Sequence, residues 1–230
     1  MKISLKSLLI TAVVSMTALC AHAVETASEV VVLNVTGTPM ASINNMTPVA
    51  IKVGDKLPQG SIITTAATAE VAFKTFEGTT TTLKPDSQAT LSKLTLTTEG
   101  GVITKQTALI DLAAGSVLSS LDPTKKAIND YSIRTPRGVA AARGTRYRVS
   151  VSKTGETTIM VSNGTVHFIN PLTGATVSVP EGKAITIKPD GTVGSLISTD
   201  EGLTPTGIKS LKGFSNNELD TTITVSPSSP

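Results

Sequence analysis

Apolar and polar side chains alternate through residues 146–169, RYRVSVSKTGETTIMVSNGTVHFI. Successive side chains of a β-strand point to opposite faces of its sheet, so the first seven residues predict one strand. Its apolar face would carry Tyr147, Val149 and Val151. Its polar positions predict a solvent face shared by four residues: Arg146, Arg148, Ser150 and Ser152. Further along, Asn163-Gly164 is a strong signal for a tight hairpin between two more strands.

The same alternation recurs along most of the chain and is interrupted about every ten residues by Gly, Pro, Asn or Asp. This spacing predicts an all-β fold in which short sequential strands form a twisted β-sandwich or a β-solenoid-like stack. Because no long crossover interrupts the pattern, we expect the elongated stack. Two segments, Thr107–Leu118 and Ile208–Phe214, could instead be short helices. Tryptophan is absent, so the core is expected to consist mainly of Val, Ile, Leu and Ala.

Residues 1–23 have the features of a signal peptide. Two lysines precede the apolar segment Leu8–Leu19, and Ala21-His22-Ala23 is a small-x-small cleavage site. The apolar segment is shorter than the roughly 20 residues that a membrane-spanning helix needs. Cys20 opens the alternative of a lipoprotein, but a bulky leucine before it is unfavourable for that processing. We therefore predict cleavage after Ala23 and a periplasmic or secreted protein.

Cleavage would change the charge that the composition suggests. The whole chain has a formal net charge of +3, and the leader removes two lysines and no acid, which leaves 18 basic and 17 acidic residues. Such a balanced chain lacks the basic surface that nucleic acids require, so we expect no nucleic-acid partner. We expect one all-β domain at residues 28–198. A weakly structured tail would follow at residues 199–230, where the alternation fades and the end is rich in Ser and Pro.

Two blocks of turn and strand residues resemble a known family. The first is VGDKLPQGSIIT at 53–64, and the second combines IRTP at 133–136 with VAAARGTRY at 139–147 and NGTV at 163–166. Together they resemble the FecR domain, an extracytoplasmic domain named after a regulator of iron-siderophore transport. In such regulators a cytoplasmic segment holds a sigma factor, one helix crosses the inner membrane, and the periplasmic part senses a loaded receptor. Because a predicted signal peptide replaces the first two parts here, the resemblance implies a stand-alone exported protein without direct sigma-factor binding.

All five arginines of the chain lie between positions 134 and 148. A guanidinium makes forked hydrogen bonds, so this clustering predicts a defined task. The resemblance places Arg134 and Arg143 at motif positions, where we expect them to tie a turn or a sheet edge to carbonyls or carboxylates. The expected structural motif residues are Arg134, Pro136, Arg143, Gly144, Thr145, Gly54, Asp55 and Gly60. Arg137, Arg146 and Arg148 are the candidates for binding an anionic partner, although a solvated polar face is an open alternative.

Residues suited to catalysis are scarce. His167 is the one histidine outside the leader, and it occupies a polar position of a predicted strand. One histidine without cysteine cannot supply a usual transition-metal site, and no Gly-x-Ser-x-Gly elbow accompanies it. We therefore predict no cofactor, no metal and no enzyme activity, but an exported domain that binds an envelope protein or glycan as sensor, adaptor or scaffold. The alternatives are a self-assembling structural or adhesive surface protein and, less favoured, an enzyme that acts on polysaccharide through paired carboxylates.

Overall fold

A computed structural model describes residues 23–44, 46–171 and 173–199 of the chain. The predicted signal peptide therefore lies outside the described residues, except for Ala23. The same holds for the predicted tail beyond Thr199 and for the predicted helix at Ile208–Phe214. No helix in the described ranges is long and apolar enough to cross a membrane.

The described chain consists of eighteen β-strands and one turn of 3₁₀ helix at Pro123–Lys125, which confirms the predicted all-β fold. The first nine strands are β1 Val24–Ala27, β2 Glu29–Thr36, β3 Met40–Ser42, β4 Val49–Ala50, β5 Lys56–Pro58, β6 Ile62–Thr65, β7 Glu70–Phe76, β8 Thr79–Leu83 and β9 Ser87–Glu99. The other nine are β10 Val102–Leu121, β11 Asn129–Thr135, β12 Gly138–Ala142, β13 Arg146–Val151, β14 Thr157–Asn163, β15 Thr165–Ile169, β16 Thr176–Pro180, β17 Lys183–Ile187 and β18 Ile197–Ser198.

The strands pair into two open sheets that share β10. Sheet I has the order β4-β3-β6-β9-β10-β11-β12-β15-β16, and β1 pairs with the far half of β9. Sheet II has the order β5-β2-β7-β8-β10-β13-β14-β17-β18. All these pairings are antiparallel except β10 with β11, which is parallel. Buried side chains of both sheets form one hydrophobic cluster, so the fold is a β-sandwich and not the elongated stack that we expected.

Strand β10 passes from sheet I to sheet II near Gly115. Its register against β9 shifts between Leu112 and Ala114, and Gly115 has a φ of +90°. A Cβ on Gly115 would lie 2.4 Å from the Cα of Ser87, so no other residue fits without rearrangement. Across this point the buried positions change from even to odd numbers: Ala108, Ile110 and Leu112 before it, and Val117, Ser119 and Leu121 after it. The prediction of a helix at Thr107–Leu118 is wrong, because this segment belongs to strand β10 and pairs with β9 and β11 in its first half and with β13 and β8 at its end.

A small polar cluster lies inside the apolar core. Tyr131 and Tyr147 are fully buried, and the Tyr131 hydroxyl lies 2.7 Å from Thr81 Oγ1 and 3.0 Å from Ser119 Oγ. Thr81 comes from β8 and Ser119 from the sheet II half of β10, whereas Tyr131 comes from β11 in sheet I. These hydrogen bonds therefore join the two layers of the sandwich through its centre.

Candidate functional site

Arg134 is fixed by a carboxylate on the neighbouring strand. The parallel pairing of β10 and β11 sets Arg134 opposite Asp111, and Arg134 Nε donates to Asp111 Oδ1 at 2.7 Å while Nη2 donates to Oδ2. The Ser92 hydroxyl donates to the same carboxylate at 2.6 Å. These hydrogen bonds and the charge of Asp111 raise the pKa of Arg134 above its usual value. Arg134, Asp111 and Ser92 thus form a hydrogen-bonded network on the outer face of sheet I.

Arg137 joins turns that belong to different sheets. Its Nε donates to the carbonyl oxygen of Gly155 at 3.0 Å. Arg137 lies between β11 and β12 of sheet I, and Gly155 lies between β13 and β14 of sheet II. A Cβ on Gly155 would come within 2.9 Å of the Arg137 guanidinium, and the φ of +79° at this position favours glycine. The predicted partner-binding task does not agree with this geometry, because the guanidinium is partly buried and holds a backbone carbonyl.

The Arg143 side chain does not hold the turn in which it lies, contrary to our expectation. The turn around it is held by other groups: Gly144, with a φ of +65°, packs against Pro123, and the Thr145 hydroxyl donates to the carbonyls of Thr165 and Arg143 at 3.1 and 3.3 Å. The Arg143 side chain is exposed, and no hydrogen bond or ion pair engages it within the described part of the chain. The expectation that Arg143 ties the turn is therefore wrong, because the turn is already closed without it.

The exposed guanidinium borders a groove of about 500 Å³ on sheet I. The groove is lined by Asp130, Tyr131, Ala141, Ala142, Arg143, Thr165 and His167. Ala141 lies between Ser132 and His167 in the register of β11, β12 and β15, so a short side chain separates two longer ones. Asp130 is paired with Lys105 at 2.9 Å. The polar groups of the groove that remain available to a ligand are therefore the Arg143 guanidinium, the Thr165 hydroxyl and the His167 imidazole.

His167 is exposed, as its polar strand position predicts. Its Nδ1 lies 3.0 Å from the hydroxyl of Ser178 on β16. Thr165 begins β15 and also lines the groove, and its carbonyl accepts a hydrogen bond from Thr145, two residues after Arg143. Guanidinium and imidazole N–H groups together suit a carboxylate or phosphate oxygen. The described residues contain no cluster of three or more His, Cys, Asp or Glu that could hold a metal ion.

The prediction that β13 has a solvent face is wrong for Arg148 and Ser150. Arg148 is only 4% exposed and Ser150 is buried, whereas Arg146 is half-buried. Strand β13 lies in the middle of sheet II, between β10 and β14, so its outward side chains have neighbours on both sides. Alternation separates the two faces of a strand, but it does not tell which face water reaches.

The remaining motif residues shape turns. Gly54 and Gly60 have φ values of +89° and +88°, which only glycine adopts easily. The Asp55 carboxylate accepts a hydrogen bond from the backbone N–H of Lys52 at 2.8 Å. Pro136 is exposed between β11 and β12. The sequence reasoning missed Asp111 and Asp130, because their roles depend on the parallel register of β10 with β11, for which no local sequence signal exists.

The fold and the groove define an all-β sandwich domain whose sheet I carries a groove bordered by an exposed arginine and a histidine. Residues 61–167 match the family model described as FecR protein, so the chain contains a FecR domain, and that domain includes every residue lining the groove. No curated protein matches the sequence. Two crystal structures of a candidate anti-sigma factor from Parabacteroides distasonis, at 1.65 and 2.50 Å resolution, are similar to the chain. Each has 13% identity and a TM-score of 0.44, and the match covers 59% of this chain and 57% of the other.

Proposed function

We propose that this chain is an exported, non-enzymatic FecR-type protein that binds an envelope or extracellular partner as a sensor, adaptor or scaffold. The observation that carries the proposal is the exposed Arg143 guanidinium, which borders the same groove as His167 and Thr165 and forms no ion pair in the described ranges. An arginine fork binds carboxylate or phosphate groups in pairs of hydrogen bonds. A carboxylate or phosphate of an envelope protein or glycan is therefore the group that the groove would accept.

A binding role fits the groove better than catalysis. His167 contacts the Ser178 hydroxyl, and both side chains are exposed. In the described part of the chain no carboxylate forms an ion pair with the imidazole, so the third member of a Ser-His-Asp arrangement is missing. Regulation through a bound partner is also in line with the FecR domain at residues 61–167. Direct binding to a sigma factor is not part of the proposal, because the predicted signal peptide would export the chain.

Crosslinking capture from an envelope extract tests the proposal. The bait is the full chain, and the variants are Arg143→Ser and, as a matched control, Arg134→Ser. Both arginines lie on the outer side of sheet I, but Asp111 already engages Arg134. We expect one partner that the parent and the Arg134→Ser variant capture equally and that Arg143→Ser captures at least about tenfold less, as for a lost charge-assisted fork. Equal capture by all three proteins would contradict the proposal.

Self-assembly is the second candidate, and one surface favours it. The β9–β10 hairpin ends in an arm to which β1 adds a third strand, and Val24, Val102 and Ile103 are exposed there. Parallel pairing with β11 begins only at Gln106, so no strand within the described ranges pairs with residues 102–105 of β10 on that side. Open edges can pair with another chain. Sedimentation at increasing concentration separates the candidates: a monomer at all concentrations rejects self-assembly, and oligomers that Ile103→Lys abolishes would favour it over the groove.

A further inference from the structure

Strand β12 ends sooner than its two neighbours in sheet I, and this leaves a notch between them. The pairings of β12 with β11 and with β15 both end at Ala142. Beyond this row, β11 extends to Asn129 and β15 extends to Thr165, whereas the chain after β12 leaves sheet I for β13 of sheet II. Within the described ranges no strand lies between Asp130 and Thr165. These two residues and Arg143 line the groove at the notch.

Small side chains form the floor of the groove along β12. Ala141 is the outward residue next to the notch, and Val139 is the next outward residue of the strand. Ala141 lies between Ser132 of β11 and His167 of β15. These flanking strands are two strand spacings apart, about 10 Å, and the rise from Val139 to Arg143 is about 13 Å. A depression of this size suits one extended chain of about four residues.

The charges of the groove favour a ligand with a single negative charge. Among the described residues, Arg143 is the one arginine or lysine that lines the groove, and Asp130 is its one carboxylate. Asp130 is paired with Lys105 at 2.9 Å, and the other exposed arginine of this face, Arg134, is held by Asp111. A phosphate group with up to two charges, or a polysaccharide that repeats its carboxylates, would bring further negative charge beside Asp130. One carboxylate matches the one guanidinium.

The guanidinium lies at one end of the groove, which fits the end of a chain better than its middle. Asp130, Arg143 and Thr165 are the last lining residues in one direction along the strands. In the other direction the outer face continues with Val139 and with Ile169, which is 42% exposed. The groove thus has a cation at one end and apolar side chains at the other. The C-terminal end of a peptide has the matching order, with a carboxylate last and side chains before it.

We propose that the groove binds the C-terminal end of an extended peptide, with the terminal carboxylate on the Arg143 guanidinium. An arginine fork donates to both oxygens of a carboxylate, and the Thr165 hydroxyl lines the same end of the groove. The bound segment passes over Ala141, and an apolar side chain farther from its end packs on Val139 and Ile169. This inference rests on the proposed function, and it narrows the partner to a protein with an accessible C-terminus.

Binding of the full chain to a peptide array tests the inference. The probes are four-residue peptides of varied sequence, attached through their N-termini and ending either in a free carboxylate or in an amide. We expect the protein to bind a subset of the carboxylate peptides that contain an apolar residue. The same sequences with an amide end should bind at least about tenfold more weakly, because the charge-assisted fork is lost. Arg143→Ser should weaken binding to the carboxylate peptides by a similar factor.

Two further variants separate the shape of the groove from its charge. Ala141→Leu fills the floor and leaves the charge unchanged, so we expect it to weaken peptide binding at least about tenfold. The matched control, Lys93→Ser, removes a positive charge from the same face of sheet I, three strand spacings or about 14 Å from Ala141. Lys93→Ser should leave peptide binding unchanged. Circular dichroism confirms that the variants keep the sheet content of the parent.

Two results would overturn the inference. One is equal binding to the carboxylate and amide peptides. The other is no binding to any peptide, and if alginate, a carboxylate-bearing polysaccharide, then binds the parent but not Arg143→Ser, the ligand is a glycan. Capture from the envelope extract tests the proposed function separately. A partner whose capture depends on Arg143 would support the proposed function even where no peptide binds, and failure of both experiments would reject both.

Discussion

Replacing each of the two buried tyrosines by phenylalanine should give opposite results. Tyr131→Phe removes hydrogen bonds to Thr81 and Ser119, at 2.7 and 3.0 Å, and leaves the Ser119 hydroxyl buried without this partner. Thr81 keeps only a long contact with Thr75 at 3.4 Å. An unsatisfied buried hydroxyl costs about 1–3 kcal/mol, so we expect Tyr131→Phe to lower the free energy of unfolding by about 2 kcal/mol. The melting temperature should fall by about 4–8 °C for a domain of this size.

Tyr147→Phe is the matched control. The Tyr147 hydroxyl lies near Ser119 but makes no hydrogen bond within the described structure, and it is fully buried. Burying a hydroxyl without a hydrogen-bond partner costs desolvation free energy, and Tyr147→Phe removes this cost without breaking a hydrogen bond. We expect the stability to stay unchanged or to rise by up to about 1 kcal/mol. Thermal and urea unfolding measure both variants. Equal destabilisation by the two substitutions would refute this account of the core.

The same pair predicts loss of stability at alkaline pH. Burial raises the pKa of Tyr131 to about 12, and burial together with the nearby Tyr131 raises the pKa of Tyr147 well above its usual value. The pKa of Tyr131 is higher in the folded protein than in the unfolded chain. The contribution of Tyr131 to stability is therefore complete below the unfolded pKa near 10 and is lost as the pH rises towards 12. For Tyr131 the loss reaches roughly 3 kcal/mol.

Tyrosinate absorbance reports this titration directly, because the chain has two tyrosines and no tryptophan. We expect the tyrosinate signal to appear together with loss of sheet structure, above pH 10. Each phenylalanine variant should lose half of the absorbance change. Ionisation of both tyrosines near their usual pKa, with the sheets intact, would show that the hydroxyls are not buried as described.

Two other substitutions test the fold and the outer face of sheet I. Gly115→Ala places a Cβ 2.1 Å from Ser87 Oγ at a φ of +90°. We therefore expect the free energy of unfolding, measured in urea, to fall by about 3 kcal/mol or more. A fall of less than about 1 kcal/mol would contradict the tight passage of β10 between the sheets. Asp111→Asn breaks the pair with Arg134, but the two side chains are 31% and 50% exposed, so the cost should stay below about 1 kcal/mol and should shrink at high salt. A large effect that salt does not change would mean that the pair is shielded from solvent.

Alternation along the sequence predicts the strands but not what covers their faces. The odd positions of β13 are buried in the core, as predicted, yet Arg148 and Ser150 on its other face are buried as well. A strand in the middle of a sheet has neighbours on both sides, and this position depends on pairings between residues far apart in the chain. Strand β10 is a second case. Its buried positions change from even to odd numbers near Gly115, so its sequence does not show one continuous alternation.

The sequence predicts a defined task for the arginine cluster, but it does not predict which contact each arginine makes. Arg137 meets Gly155 across two turns that are 18 residues apart, and Arg134 meets Asp111 through a parallel pairing. Such contacts depend on tertiary register and leave no local spacing to detect. Arg143 follows β12 in a turn closed by Gly144 and Thr145, so only the finished turn reveals that its side chain points to the groove.

Site-specific photocrosslinking tests the binding groove most directly. A photoreactive residue at Ser178, which is exposed and contacts His167, would report on the groove, and one at Glu99, exposed at the far end of β9, would serve as control. We predict that exporting cells yield an adduct with one envelope component from position 178 but not from position 99, and that Arg143→Ser abolishes it. An adduct that persists in the Arg143→Ser protein, or that forms equally at both positions, would contradict the claim that this groove binds the partner.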